Sequence, residues 1–267
     1  MRRRSKTSND DGRTPSLSDR LNGVAIVTGA GQGLGRAFAH ALADAGAAVV
    51  VADLRGENAE RVASEITAAG GKSAGISCDV SDETSVTAMV RGARQLGAIR
   101  FLVNDAAIFS SLKMRPFTEI PTSEWDAVMA VNVRGAFNCC RAAVPLMAEA
   151  GYGKIVNISS STVFLGRPNY LHYVTSKAAL IGFTRALANE IGPMGIRVNA
   201  VTPGSTKTEI PRETISDDQR RAMAAQTALR RVQTADDLVG TVVFLCSPGS
   251  DFITGQTINV DGGLSFH

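Results

Sequence analysis

At 267 residues, with 44% hydrophobic, 20% charged and 5% aromatic side chains, the chain has the size and composition of one large α/β domain with a substantial core. The net charge of +3 comes largely from Arg2, Arg3, Arg4, Lys6 and Arg13, so the rest is near neutral and argues against a nucleic-acid partner. No apolar run approaches the roughly 18 residues of a membrane span, and Cys78, Cys139, Cys140 and Cys246 form neither a C-x-x-C pair nor metal-ligand spacing with His40, His172 and His267.

Residues 1–20 are polar and charged, and read as a flexible tail outside the fold. With no signal-peptide h-region and no disulfide pattern, the expected location is cytoplasmic. From Leu21 onward short β-branched runs alternate with amphipathic stretches. In chain order the pattern predicts a strand at 24–28, a helix at 33–45, a strand at 48–53, a helix at 58–69, a strand at 73–78 and a helix at 85–96. A strand at 100–104, one long helix at 123–150, a strand at 154–159 and a helix at 173–191 follow. Strands at 197–201 and 257–260 flank a helix at 235–246. Strand and helix alternating at this length imply a single α/β domain, with a doubly wound parallel sheet of about seven strands and helices on both faces. The irregular, polar segment 203–234 breaks the rhythm after a strand, where a cover over the substrate is expected.

The first strand runs directly into Thr28-Gly29-Ala30-Gly31-Gln32-Gly33-Leu34-Gly35, which opens the first helix. Glycines there let the backbone turn tightly and approach a pyrophosphate, whose charge the helix N-terminus favours. The second strand ends in Asp53, eighteen residues after Gly35, near the spacing of a ribose-binding carboxylate in a Rossmann-type fold. Such a carboxylate accepts from both ribose hydroxyls and repels a 2′-phosphate, and Gln32 offers that phosphate no positive charge. NAD(H) is therefore expected over NADP(H). Arg36 reads as a surface residue of the first helix and Arg55 as part of a solvated turn.

Tyr173 and Lys177 lie four apart, on one helical face. A tyrosine at its usual pKa of about 10 is a poor proton donor or acceptor at neutral pH, and a neighbouring ammonium favours its phenolate. Ser160, thirteen residues earlier, can bring a hydroxyl to the same place. Together they can move a proton while a cofactor moves a hydride.

These motifs resemble the short-chain dehydrogenases/reductases. Thr28–Gly35 is similar to their TGxxxGxG turn and Tyr173–Lys177 to their YxxxK signature, and the likeness runs from Leu21 to Gly263. The resemblance implies that Asp79 and Val80 contact adenine, and that Leu54, Asn104 and Ala106 also meet the cofactor. It implies that Pro203, Gly204, Thr206 and Thr208 hold the nicotinamide side. It makes Asn132, Ser160, Tyr173 and Lys177 the catalytic group, with Asn132 holding a water that links Lys177 to solvent. It further implies a homotetramer built on the helices at 123–150 and 173–191. One departure stands out: where the family has Asn-Asn-Ala-Gly, this chain has Asn104-Asp105-Ala106-Ala107. Asp105 adds a carboxylate that needs a partner if buried.

Segments 161–171, 205–233 and 110–116 are expected to surround the substrate, with Ser160, Thr162, Phe164 and Tyr170 at the pocket and Val163 and Leu165 adding apolar surface. Arg167 reads as an exposed loop residue. This favours a small, neutral, moderately hydrophobic ketone or secondary alcohol, and the stretch 160–186 also resembles enzymes acting on aryl-alkyl carbinols. A 3-oxoacyl-carrier-protein reductase and a non-catalytic dinucleotide-binding regulator are the alternatives. The intact Ser160, Tyr173 and Lys177 weigh against the second.

Overall fold

The computed structural model describes residues 21–210 and 217–266; the expected tail at 1–20 lies outside them. Val24–Thr28 (β1) is buried at every position and is an interior strand of a seven-stranded parallel sheet. Its partners are Ala48–Asp53 (β2), Ser73–Ser77 (β3), Ile99–Asn104 (β4), Gly153–Ile158 (β5), Ile196–Pro203 (β6) and, after two short strands, Thr257–Val260 (β9). The spatial order is β3-β2-β1-β4-β5-β6-β9. β1 pairs β2 on one side and β4 on the other, so the winding reverses between β1 and β4. In such sheets the crevice beyond the carboxyl ends at that reversal receives the ligand.

Gly33–Asp44 (α1), Gly56–Ala68 (α2) and Asp236–Cys246 (α9) cover one face, packing Phe38, Leu42, Val62, Ile66 and Leu245 against Ala25, Val27, Val49 and Val51. Glu83–Ala93 (α3), Gly135–Glu149 (α5) and Leu171–Ile191 (α7) cover the other, against Val24, Ile26, Val50 and Ala52. Alternate residues of β1 and β2 thus feed opposite cores, which is why these strands read as unbroken apolar runs. Cys139 and Cys140 are core residues of α5.

The long helix expected at 123–150 is divided. Thr122–Met129 (α4) passes into one π-helical turn, Ala130–Arg134, before α5 continues. A π-turn inserts one extra residue and turns a side chain that would otherwise follow the helical face; here Asn132 is 2% exposed. The expected cover contains more order than its composition suggests. Thr206–Lys207 (β7) pairs in parallel with Gln233–Thr234 (β8), and Asp217–Ala224 (α8) lies between them. A short helix, Thr162–Leu165 (α6), follows β5.

One buried polar tie holds the sheet behind the crevice. Asn104 Nδ2 donates to Asn157 Oδ1 at 2.8 Å, and Asn157 Nδ2 donates to Thr184 Oγ1 at 2.9 Å, joining β4, β5 and α7. Asn157→Ala orphans both partners inside the core, at an expected cost of about 2 kcal/mol, read as a lower denaturant midpoint with unchanged slope. A midpoint equal to that of the parent would refute this role.

Candidate active site

A cleft of about 650 Å³ lies along the carboxyl ends of the strands, walled by Gly29, Gln32, Leu34, Asp53, Leu54, Asp79 and Val80 at one end. Ser160, Thr162, Tyr173, Lys177 and the segment Pro203–Ile210 border the other. The glycine turn is fitted for close backbone approach. A Cβ on Gly35 would lie 2.4 Å from the Gly29 carbonyl oxygen, and one on Gly31 would lie 2.8 Å from the Asp53 carboxyl. Asp53 is 9% exposed; Oδ2 accepts from the Gly31 N–H and Oδ1 from the Arg55 N–H, each at 3.0 Å. α1 has no acidic residue in its first turn and no side-chain cap of its own. These residues fit a dinucleotide: a helix N-terminus without a local side-chain cap for the pyrophosphate, and beside it a fixed carboxylate for the ribose.

α7 begins at Leu171, so Tyr173 and Lys177 share its face toward β5 and are 7% and 3% exposed. Lys177 Nζ lies 5.9 Å from the centre of the Tyr173 ring and donates to the Ile158 carbonyl at 2.7 Å. Ser159 Oγ donates to the Lys177 carbonyl at 2.7 Å, fixing the helix against the strand end. The three consecutive serines Ser159, Ser160 and Ser161 all line the cleft, and Ser160 is tied to Thr162. Its Oγ accepts from Thr162 Oγ1 at 2.9 Å and from the Thr162 N–H at 3.3 Å, which leaves its own hydroxyl proton to donate into the cleft. Burial lowers the Lys177 ammonium to about 8, against the opposing pull of Asp105.

Asn132 acts as a tie. Its Oδ1 accepts from the Ile108 N–H at 2.8 Å and its Nδ2 donates to Ser176 Oγ at 3.0 Å, while Ser176 Oγ donates to the Tyr173 carbonyl at 2.7 Å. The π-turn thereby links the loop after β4 to the backbone of the tyrosine.

Several expectations change place. Asn104, expected at the cofactor, is 5% exposed and absent from the cleft wall, because its amide is held by Asn157. Thr28 lies beneath the surface, where Oγ1 accepts from the Asp105 and Ala106 N–H groups at 3.2 Å. Gly33 and Gly35 form the turn without side chains on the wall, whereas Ala106, Thr206 and Thr208 border the cleft as expected. Phe164 and Tyr170 do not line it; Tyr170 is 2% exposed and packs edge-on behind Tyr173. Phe109 takes the aromatic position instead, stacked on the Tyr173 ring at 4.4 Å. Arg167 is half-buried on the cleft wall, its guanidinium 5.2 Å above the Tyr170 ring, rather than free in a loop. Arg55 is exposed but reaches Gln32 Oε1 at 3.1 Å across the cleft's adenosine end. Of two further carboxylates, Glu209 escaped sequence reasoning, while Asp105 is the departure that stood out in it. Glu209 Oε1 accepts from the Gly33 N–H at 2.8 Å, a pairing between residues distant in sequence that no local pattern signals. Asp105 is surrounded by protein on the cleft floor, where burial raises it to about 6 while Lys177 and the Gly35 N–H oppose the shift. Among the described residues no cluster of histidine, cysteine and acidic side chains could hold a metal, and no helix is long and apolar enough to cross a membrane.

A family profile described as Enoyl-(Acyl carrier protein) reductase matches residues 29–265. The 3-oxoacyl-[acyl-carrier-protein] reductase of Staphylococcus aureus is 40% identical over 244 residues, which cover 90% of this chain and 97% of that protein. A putative short-chain alcohol dehydrogenase from Sinorhizobium meliloti superposes with a TM-score of 0.88 at 37% identity, covering 93% of this chain and 98% of that one. A gluconate 5-dehydrogenase from Burkholderia cenocepacia, solved with NADP and tartrate, gives 0.87 at 33% identity over 93% and 98%.

Proposed function

The chain belongs to the short-chain dehydrogenase/reductase family, and on that premise we propose that it interconverts a secondary alcohol and a ketone with NAD(H). The observation that carries the reading is that Ser160, Tyr173 and the buried Lys177 ammonium line one cleft, with Lys177 Nζ 5.9 Å from the centre of the Tyr173 ring. The nicotinamide supplies the hydride when bound. The protein supplies everything that moves or steadies the proton. In reduction, Ser160 donates to the carbonyl oxygen and stabilises the charge that develops there. Tyr173 gives that oxygen its proton, and in oxidation takes it back. Lys177 stabilises the phenolate left behind and binds the nicotinamide ribose hydroxyls. Asn132 positions Tyr173 through Ser176 and holds the water that connects Lys177 to solvent.

Asp53 supports NAD(H) over NADP(H), because a 2′-phosphate would meet a nearly buried carboxylate already holding the turn. Leu165, Phe109, Ile210 and Met223 along the substrate end support a moderately hydrophobic, neutral body for the ketone. A homotetramer through α4, α5 and α7 accords with the exposure of Phe137 and Leu171, and light scattering reads it directly. NADH and NADPH oxidation against small ketones and aryl-alkyl ketones tests the assignment. Absence of turnover with every ketone and both cofactors would reject it. The relative at 40% identity gives one rival, reduction of a 3-oxoacyl thioester, and acetoacetyl thioester turnover exceeding that of every simple ketone would favour it.

Glu209 holds the Gly33 N–H, one of the donors a pyrophosphate needs, so the two anions compete. Glu209→Gln is expected to tighten NADH binding several-fold, on the order of 1 kcal/mol, in a fluorescence titration. Equal or weaker binding would show that the carboxylate does not stand in the cofactor's way.

A further inference from the structure

We propose that Asp105 is the counter-ion of Lys177 and, acting through it, sets the pH range in which Tyr173 exchanges its proton. The inference rests on the reading of Tyr173 and Lys177 as the proton-transfer pair. It begins with sheet register: β4 and β5 pair Asn104 with Asn157, so the same register continued by one residue sets Asp105, just past the end of β4, against Ile158, the last residue of β5. The Ile158 carbonyl is the acceptor of the Lys177 ammonium at 2.7 Å. The Asp105 backbone is pinned from the other side, its N–H donating to Thr28 Oγ1 at 3.2 Å. Asp105 thus follows the strand beside the one whose last carbonyl holds the ammonium, and both residues line the same cleft.

The neighbouring elements bring no second cation to this place. α7 contributes Lys177 itself and the Tyr173 phenol, and the π-turn contributes the neutral Asn132 amide, held by Ile108 and Ser176. α1 offers the Gly35 N–H, and the segment after β6 brings another anion, Glu209, to Gly33. Among the described residues, Lys177 is the one cation acting on Asp105, and Asp105 the one charge acting on Lys177. Where the family carries a neutral asparagine, this chain has placed a group that is ionised above about 6.

A fixed negative charge here holds protons on its neighbours. It keeps Lys177 charged to higher pH than burial alone allows, and it opposes the phenolate of Tyr173. Removing it moves both ionisations down the pH scale. In Asp105→Asn the alkaline limb of kcat/KM for ketone reduction is expected to fall at lower pH, by about one unit, and the acid limb of alcohol oxidation to move the same way. A purely structural role would lower the profile without displacing it. The second readout needs no turnover: absorbance titration of tyrosine in cofactor-free protein, with the Tyr173→Phe curve subtracted, in both backgrounds. The Tyr173 midpoint is expected to fall by a similar amount when Asp105 becomes Asn. Coincident midpoints and undisplaced limbs overturn the proposal. Should Asp105→Asn fail to fold, Asp105→Ser removes the same charge and is read the same way. If the parent turns over no ketone, the functional reading fails, while the tyrosine titration still decides whether Asp105 couples to the pair.

Discussion

Tyr173→Phe is expected to lower ketone turnover by about 10²–10⁴-fold while leaving NADH binding within a factor of two. The phenol is the group proposed to exchange a proton with the substrate oxygen, and removing it deletes general acid catalysis without touching the glycine turn or Asp53. The ring remains, so its stacking on Phe109 at 4.4 Å and its place in the Tyr170–Leu112–Val128 cluster are kept. Steady-state rates beside a fluorescence titration of NADH separate the two effects. Near-parental kcat in this variant ends the assignment. Loss of NADH binding together with turnover would instead show that the phenol organises the cofactor end.

Asp53→Ala is expected to reverse cofactor choice. The carboxylate is 9% exposed and sits between the Gly31 and Arg55 N–H groups, where the proposed reading places the adenosine ribose. Removing it takes away the ribose acceptor and the charge that repels a 2′-phosphate. It also leaves the guanidinium groups of Arg55, bonded to Gln32, and Arg61, bonded to the Gly31 carbonyl, as cations for that phosphate. Hydrogen bonds to a charged acceptor are worth about 1.5–3 kcal/mol, so kcat/KM with NADH should fall about 10- to 100-fold. With NADPH it should rise. A parallel fall with both cofactors means that Asp53 chiefly supports the turn, and would remove the argument for NAD(H). The tie through Gly31 predicts some loss of thermal stability in the same variant, and a melting curve measures it independently.

The parallel sheet was legible because it is written in local patterns. β1 and β2 are apolar at nearly every position, since both faces meet a core, and each amphipathic stretch between strands has a length suited to a crossover. The glycine turn, Asp53, Ser160 and the Tyr173–Lys177 pair were legible because their chemistry needs fixed residue types at short or regular spacing. The π-turn was not. Residues 122–149 have the composition of one uninterrupted helix, and the inserted residue at Ala130–Arg134 answers to the contacts of Asn132 with Ile108 and Ser176. Asn104 was misplaced for a related reason. A polar residue at a strand end looks the same in sequence whether it faces a cofactor or a buried neighbour, and Asn157 on β5 decides the matter.

By itself, then, the sequence determined the winding of the chain, and it marked the glycine turn and the Tyr173–Lys177 pair on which the proposed chemistry rests, all of which depend on neighbours a few residues apart. The tertiary structure alone decided what surrounds them. It stacked Phe109 on Tyr173, brought Arg167 to the cleft wall, carried Glu209 to the Gly33 N–H and set Asp105 beside the carbonyl that holds Lys177. Each of these contacts joins separate elements across the sheet's carboxyl edge. No periodicity within a segment records them, because the free energy that selects them comes from packing and charge in a volume that exists only once the strands have paired.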